Sequence, residues 1–337
     1  MVVTIKDVAK CSGMSIATVS KYLNGKPVRE KSAQKVADAI RELGYRPNLN
    51  ARGLRNSSTL TIGILVENVT NNFYNQMISH LSDLLAAHNY GCIICETKND
   101  SEILEQRLKF LRGRNVDGLF LIMGSIPDAI VPLINDTFEN VVVIDMFVDG
   151  LNADFIFTDN ISASYTAVEQ LIAKKHREIA LITGNSQYFS ARERTKGYLR
   201  CLEDYHIPIR EDLIFEEEYD INGGYQACKK LLQFPEEKRP SAILITSYFM
   251  TIGSIIAFND SGTRIPDDIS VICFDNYDIN KVFRPALSCI IQPSDEICEK
   301  AVDCMLERIL SPSRDVRVKR ITAQFQPGQS VRDVQTK

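Results

Sequence analysis

From residue 60 onwards, the chain alternates short apolar runs with longer amphipathic stretches, and this alternation restricts the fold more than any other feature. The apolar runs, for example residues 62–67, 118–123 and 270–274, are almost continuously hydrophobic, and the stretches between them have helical spacing. Such a pattern indicates parallel sheets that are covered by helices on both faces. The runs are too numerous for one compact sheet, so the sequence predicts two α/β lobes with a ligand cleft outside the carboxyl ends of the strands.

The N-terminal segment has a different pattern, in which three helices are predicted. The first spans residues 4–11 and the second residues 15–24. Thr4 and Ser15 are positioned to cap them, because a side-chain oxygen at a helix start accepts an otherwise unpaired backbone N–H. A turn containing glycine joins the two helices, and a third helix over residues 32–43 completes a small core. These are the parts of a helix-turn-helix, although the spacing alone is equally compatible with an ordinary pair of helices in a helical cap.

The charge is distributed unevenly along the chain. Residues 1–58 contain 11 Lys and Arg against 4 Asp and Glu, whereas the remaining residues contain 28 against 39. A small basic domain attached to an acidic body is typical of a protein that binds nucleic acid. The charge therefore favours the helix-turn-helix interpretation.

The composition excludes a membrane protein. With 45% hydrophobic and 24% charged residues, the chain of 337 residues has the composition of an ordinary globular protein. No apolar run approaches the ~20 residues that a membrane span requires. The N-terminus also lacks an apolar signal segment. We therefore expect a cytoplasmic protein without a membrane partner.

The spacing of the cysteines and histidines predicts neither a metal site nor a redox site. Cys92 and Cys95 form a C-x-x-C motif, but residues 90–96 are predicted to be a buried strand, in which residues three apart point to opposite faces. The nine cysteines are therefore expected to be reduced thiols. No spacing typical of a catalytic, phosphate-binding or dinucleotide-binding motif is present. We expect no catalytic residue, no metal, no cofactor and no enzymatic activity.

Three segments carry a resemblance to a known family. Their sequences are Thr-Ile-Lys-Asp-Val-Ala at residues 4–9, Ser-Ile-Ala-Thr-Val-Ser-Lys-Tyr-Leu-Asn at residues 15–24 and Leu-Gly-Tyr-Arg-Pro-Asn at residues 43–48. They closely resemble the DNA-binding headpiece of the LacI/GalR family of bacterial transcriptional regulators, and the similarity continues to about residue 331. The resemblance implies a sequence-specific DNA-binding regulator. Its expected role is to repress carbohydrate-utilisation genes under the control of a small-molecule effector.

The resemblance also implies a domain organisation. Residues 1–47 would form the helix-turn-helix headpiece, and residues 48–59 a hinge helix and linker. Residues 60–337 would form an effector-binding and dimerisation domain that is similar to a periplasmic binding protein. In the family, the first lobe covers about residues 60–160 with part of residues 290–325. The second lobe covers about residues 162–288 together with a C-terminal segment.

The expected DNA contacts lie on the second helix, around it and in the hinge. Ile16, Ala17 and Lys21 fall on positions that read bases in the major groove in this family, and Lys21 is the candidate for guanine acceptors. In the hinge, Leu54 falls on the position of a leucine that wedges a base step open in the minor groove. Because one short helix reads few base pairs, we expect a homodimer on an inverted repeat of double-stranded operator DNA. The other predicted DNA contacts are Thr4, Ser15, Thr18, Ser20, Asn24, Asn48 and Arg52.

The expected effector contacts follow the predicted strands. Carboxylates and arginines form paired hydrogen bonds with neighbouring hydroxyls, and an aromatic ring covers the apolar side of a sugar, so these residue types suit a carbohydrate. Arg194 and Asp275 match effector-binding positions of the family. Asp159 is expected to have a structural role instead. The predicted effector contacts are Phe73, Ser125, Asp145, Arg194, Tyr219, Tyr248 and Asp275.

Two positions depart from the family pattern. The family usually has an Asp in a Ser-Asp or Asn-Asp pair after the strand at residues 242–246, where this chain has Ser247-Tyr248. We therefore expect a pocket that stacks its ligand more and carries less charge. Before the third helix, Arg29 replaces the usual Ser or Thr cap. We therefore expect either a less tightly held helix start or a contact between Arg29 and a DNA phosphate.

Other functions remain open at this point. A solute-binding protein is compatible with the body but not with the basic headpiece, and an enzyme lacks a visible catalytic constellation. Within the family, an activator, a regulator that depends on a partner protein and a nucleobase-like effector are alternatives. No leucine heptad follows the last predicted strand, and none is present in residues 331–337, so a dimer rather than a tetramer is expected.

Overall fold

The structure, a computed structural model, describes residues 3–23, 26–45, 58–275, 278–311 and 315–334. Its contacts divide the chain into two units, Met1–Leu60 and Thr61–Lys337. No helix in the described ranges is both long enough and apolar enough to cross a bilayer. The predicted contacts Asn24, Asn48, Arg52 and Leu54, and most of the predicted hinge, lie outside the described residues.

The described residues of the first unit form three helices around a small apolar core. They are α1 (Ile5–Ser12), α2 (Ile16–Leu23) and α3 (Glu30–Leu43). Val8, Val19 and Val36 are fully buried between them. The turn after α1 requires Gly13, whose φ of 65° is in the left-handed region that a glycine adopts without strain. Arg29 precedes α3 and makes no side-chain capping bond.

The second unit contains two six-stranded sheets, and we call each sheet with its helices a lobe. The sheet of the first lobe has the order β11-β5-β4-β3-β1-β2, and its paired strands are parallel. Its strands are β1 (Thr61–Val66), β2 (Gly91–Glu96), β3 (Gly118–Ile122), β4 (Val141–Ile144), β5 (Asp154–Thr158) and β11 (Val318–Ile321). Its helices are α4 (Asn72–Ala87), α5 (Ser101–Gly113), α6 (Val131–Thr137) and α12 (Ser294–Leu310).

The sheet of the second lobe has the order β12-β10-β9-β8-β6-β7, and β12 is antiparallel to β10 while the other pairs are parallel. Its strands are β6 (Ile179–Gly184), β7 (Ile214–Glu217), β8 (Ala242–Ile245), β9 (Ser270–Phe274), β10 (Ser288–Ile291) and β12 (Gln324–Gln326). Its helices are α7 (Asn160–Ala173), α8 (Phe189–Asp204), α9 (Ile221–Leu232), α10 (Tyr248–Ser261) and α11 (Ile279–Val282).

Both faces of each sheet are covered by apolar clusters, as the continuous hydrophobic runs predict. On β1, for example, Leu65 packs with α5 on one face, whereas Ile64 packs with α4 and α12 on the other. This double burial explains why the central strands lack an alternating polar pattern. The two α/β lobes and their parallel sheets are confirmed.

The chain crosses between the lobes more than once. It leaves the first lobe after β5, returns after β10 to form α12 and β11, and enters the second lobe again to form β12. Strands β11 and β12 are not predicted by the sequence, because these edge strands are short and partly exposed and no apolar run marks them. Strand β10 pairs with β9 and therefore belongs to the second lobe, slightly beyond the predicted boundary at residue 288.

The predicted strand at residues 90–96 is confirmed as β2, but the prediction that it is buried was wrong. Strand β2 is an edge of the first sheet and, among the described strands, pairs with β1 only, so Ile94 is 45% exposed. Cys92 and Cys95 do lie on opposite faces, because Cys95 joins one apolar cluster and Cys92 packs against the other. All nine cysteines are free thiols.

Candidate functional site

The second helix of the first unit presents one face to the outside. Ile16, Ala17 and Lys21 are exposed, whereas Val19 is fully buried in the core of this unit. The start of the helix is held by Ser15, whose Oγ accepts the Thr18 N–H at 3.2 Å. The positions predicted to read bases therefore share an accessible surface on a capped helix. Their contact with DNA stays a prediction.

Several side chains predicted to contact DNA already have partners at the helix starts. The backbone N–H and the hydroxyl of Thr4 both donate to the Asp7 carboxylate, at 2.8 and 2.7 Å. The hydroxyl oxygens of Ser15 and Thr18 lie 2.9 Å apart. These bonds order the two helices. Thr4 and Ser15 thus have a structural role whether or not they contact DNA.

A cavity between the two lobes brings together six of the seven predicted effector contacts: Phe73, Asp145, Arg194, Tyr219, Tyr248 and Asp275. Arg194 lies in the second turn of α8, and each of the others lies at or near the carboxyl end of a strand or at the start of the following helix. This placement is the one that an open parallel sheet gives to residues after its strands. The other lining residues are Asn71, Asn72, Tyr74, Ser190, Ser247, Phe249 and Gln292.

Arg194 is the centre of a buried polar network in this cavity. It is 5% exposed, and its Nε, Nη1 and Nη2 atoms donate to Asn160 Oδ1, the Thr246 carbonyl and Gln292 Oε1 at 2.8, 2.5 and 3.0 Å. The guanidinium also lies 4.1 Å from the centre of the Phe274 ring. These contacts hold a buried cation in one orientation, so the remaining N–H groups point in fixed directions.

Gln292 links this arginine to Asp275, and sequence analysis missed it. Its Nε2 donates to Asp275 Oδ2 at 2.8 Å, and its Oε1 accepts from Thr158 Oγ1 at 3.0 Å as well as from Arg194. Gln292 directly follows β10, so the rule that found the other cavity residues could have found it too. Burial raises the pKa of Asp275, whereas Arg194 and the bonds from Gln292 lower it.

Asp145 follows β4 and is the most strongly perturbed carboxyl group of the cavity. Its Oδ2 accepts a hydrogen bond from the Tyr74 hydroxyl at 3.3 Å, while its Oδ1 is buried without a protein partner. Burial raises the pKa of Asp145 from 3.8 to about 7, and the negative charges of Asp275 and Glu67 add to this. The charge of Arg194 and the bond from Tyr74 act in the opposite direction. An acceptor oxygen is therefore available to a bound ligand.

Aromatic rings form the apolar part of the cavity. The Tyr219 ring packs against the Tyr188 ring with centres 5.4 Å apart, and its hydroxyl is buried without a partner. Tyr219 lies so close to Gly184 that a Cβ there would come within 2.4 Å of the ring. Tyr248, which replaces the usual Asp of the family, is the first residue of α10 and packs against Phe249.

Tyr188 and Phe189 connect the second lobe to the first, and sequence analysis did not identify them. The Tyr188 hydroxyl donates to Glu67 Oε1 at 3.1 Å and accepts from Asn99 Nδ2 at 3.1 Å. The Phe189 N–H donates to the Gly124 carbonyl at 3.0 Å, and its ring packs in the core of the first lobe. These bonds tie the lobes together beside the cavity.

Ser125 does not join the other predicted effector contacts. It follows β3 but does not line the cavity, and its hydroxyl donates to Asn99 Oδ1 at 3.5 Å. It lines a separate recess with Gly124 and Arg192. Asp159 is structural, as expected, since it accepts bonds from the backbone N–H and the hydroxyl of Ser162 at the start of α7.

The chemistry of the cavity suits recognition of hydroxyl groups. Two buried carboxyl groups and one oriented guanidinium supply directed hydrogen bonds, and aromatic rings cover an apolar surface. Among the described residues, no three His, Cys, Asp or Glu side chains are arranged to hold a metal ion.

Comparisons with known proteins give a consistent result. A family model described as bacterial regulatory proteins, lacI family, matches residues 4–48, and a periplasmic binding protein-like domain matches residues 168–331. The HTH-type transcriptional repressor PurR of Aliivibrio fischeri is 32% identical over 317 residues, which cover 94% of each chain. The ribose operon repressor of Haemophilus influenzae is 33% identical over 93% of this chain and 94% of its own.

The fold is also that of a solved structure. The Lac repressor dimer bound to operator and an anti-inducer superposes with a TM-score of 0.87, covering 98% of this chain and 100% of the repressor chain at 23% identity.

Proposed function

The chain belongs to the LacI family of bacterial regulatory proteins, and we propose that it represses carbohydrate-utilisation genes in response to a sugar or sugar derivative bound between its lobes. As a member of this family it is a DNA-binding transcriptional regulator with an effector-binding domain. The proposal is supported by the presence of two sites in one chain. One is the exposed face of α2, and the other is a cavity in which the buried Oδ1 atom of Asp145 has no protein partner.

The proposed mechanism couples the two sites. A homodimer places one α2 in each half of an inverted repeat, with Ile16, Ala17 and Lys21 against the bases. The effector binds between the lobes, and its affinity differs between the DNA-competent and the incompetent arrangement. By thermodynamic linkage, the effector changes the affinity of the protein for the operator by a certain factor, and the operator changes the affinity for the effector by the same factor. The protein would act in the cytoplasm, where bacterial operators lie, and no catalytic step is assigned to it.

Selection of full-length protein on random double-stranded DNA tests the regulator. We expect enrichment of one inverted repeat, and a gel shift on that sequence should respond to a sugar. Lys21→Ala should change the enriched sequence, whereas Lys109→Ala on α5 should not, although it removes the same charge from an exposed ion pair with Glu105. Binding that is equal on all sequences would contradict the proposal.

A further inference from the structure

The space between the lobes is lined by far more negative than positive groups. A second recess, which we call the outer recess, adjoins the effector cavity, because Tyr74 and Tyr219 belong to the walls of both. Among the described residues that line the two spaces, Arg194 is the one cationic side chain. Five carboxyl groups face it, so a bound cation would offset an excess of negative charge. They are those of Asp145 and Asp275 in the cavity and of Glu67, Glu218 and Asp220 in the outer recess.

Arg194 and Asp275 already belong to one hydrogen-bonded network. Arg194 Nη2 donates to Gln292 Oε1 at 3.0 Å, and Gln292 Nε2 donates to Asp275 Oδ2 at 2.8 Å. The Gln292 N–H lies 3.4 Å from Asp275 Oδ1, so both carboxyl oxygens have a partner. Arg194 keeps N–H groups for a ligand, since a guanidinium has five of them and protein acceptors take three. This side of the cavity can therefore bind hydroxyl groups without a further charge.

Asp145 and Glu67, by contrast, are held by neutral donors. Asp145 Oδ2 accepts from the Tyr74 hydroxyl, and Glu67 accepts from the Tyr188 hydroxyl and the Gly124 N–H. Asp145 Oδ1 is buried without a partner in the described part of the chain. Burial raises the pKa of Asp145 to about 7 although the charge of Arg194 lowers it, and the charge of Glu67 adds to the rise. Arg194 is therefore not sufficient to compensate a carboxylate at this position.

Aromatic rings make the same space favourable for a cation. The face of an aromatic ring attracts a cation, and the attraction is stronger where water is excluded. An ammonium group also offers three N–H donors, and its bond to a carboxylate is about twice as strong as a neutral hydrogen bond. A hydroxyl could donate to Asp145 Oδ1, but it would leave the negative charge unbalanced. The rings in the walls are those of Phe73, Tyr74, Tyr188, Tyr219, Tyr248 and Phe249.

We propose that the effector is a cationic amino sugar. Its ammonium group binds Asp145 at Oδ1, and its hydroxyl groups bind at Arg194 and Asp275. This inference rests on the proposed function, because it specifies the ligand of the same site. It separates a protonated amino sugar from neutral sugars, from N-acetylated sugars, and from amines that lack a sugar ring.

Isothermal titration calorimetry with full-length protein at neutral pH tests the proposal. The panel comprises glucosamine, galactosamine and mannosamine, the corresponding hydroxyl sugars glucose, galactose and mannose, the three N-acetyl derivatives, spermidine and hypoxanthine. We expect one amino sugar to bind at least about tenfold more tightly than its hydroxyl and N-acetyl counterparts. Tightest binding of a neutral sugar, an N-acetyl derivative, spermidine or hypoxanthine would overturn the proposal, as would binding of no compound.

A matched pair of variants tests the contact with Asp145. Asp145→Asn keeps an acceptor oxygen but removes the charge, so the tenfold preference for the amino sugar over its hydroxyl counterpart should fall to about equal affinity. Asp149 is exposed and outside both spaces, so Asp149→Asn should keep the preference. If Asp145→Asn weakens both sugars by the same factor, or weakens neither, Asp145 does not bind the ammonium group.

The DNA selection separates this inference from the proposed function. If one inverted repeat is enriched and a neutral sugar binds most tightly, the cationic ligand is wrong and the sugar-controlled regulator stands. If no DNA sequence is enriched, the proposed function fails regardless of the compound that binds.

Discussion

Replacing Asp145 with asparagine should make the protein more stable at high pH, because the native carboxylate is buried at a cost. The asparagine side chain would retain an oxygen that accepts the Tyr74 hydroxyl, so the change removes the charge with little change in shape. Burial raises the pKa of Asp145 from 3.8 to about 7. The folded protein therefore binds this proton more tightly than the unfolded chain does.

The sign of the effect follows from that difference in proton affinity. Well below pH 3.8 the carboxyl group is protonated in both states, so its stabilising contribution is fully present. That contribution is lost as pH rises towards 7, because the unfolded chain ionises first. The difference between a pKa of 3.8 and a pKa of about 7 corresponds to about 4 kcal/mol, of which about 2.5 kcal/mol is lost between pH 5 and pH 8.

Urea unfolding of both proteins at pH 5 and pH 8 measures this loss. The free energy of unfolding of the native protein should fall by about 2.5 kcal/mol more than that of Asp145→Asn over this interval. Asp149→Asn, an exposed change four residues away, should follow the native protein. If the native protein and Asp145→Asn lose the same stability between the two pH values, burial of the Asp145 charge is not the cause.

Three further predictions concern the lobe contacts, base reading and the unusual tyrosine. Tyr188→Phe removes the hydroxyl that joins the lobes and should weaken effector binding by up to about tenfold in calorimetry, while the exposed Tyr205→Phe should not. Lys21→Ala should relax base preference at one symmetric operator position by about 1–3 kcal/mol in competition gel shifts. Equal weakening at every position would show that Lys21 contacts phosphate instead. Tyr248→Asp should change the ranking of the affinities with which a panel of sugars binds in calorimetry. An unchanged ranking would exclude a role for the Tyr248 ring in selectivity.

Local patterns predicted much of the fold. Helices α1 and α2 follow from the caps at Thr4 and Ser15, and α3 follows from apolar residues at helical spacing, such as Val36 and Ile40. The continuous apolar runs predicted the central strands, because strands covered on both faces need no polar side. Asp275 could be selected because it follows a strand and Arg194 because it matches an effector-binding position of the family, and the structure brings both into one cavity.

The missed features depend on partners that are distant in sequence. Tyr188 has no local mark, yet its hydroxyl bonds to Glu67, 121 residues away. Strand β2 is partly exposed because it lies at the edge of the first sheet. Which strand lies at an edge depends on the order in which the strands pair. Ser125 obeys the same local rule as Asp145, but its loop directs it into another recess.

The sequence by itself determined the elements of this protein: a capped helix-turn-helix unit, and strands and helices that must form parallel sheets. Spacing and hydrophobicity act between neighbours along the chain, so they are visible without coordinates. Only the tertiary structure decided which strands are edges, where the chain returns between lobes, and which carboxylates share one buried space. Those outcomes depend on long-range packing and on the exclusion of water, which raises the pKa of Asp145 and leaves its Oδ1 available to a ligand.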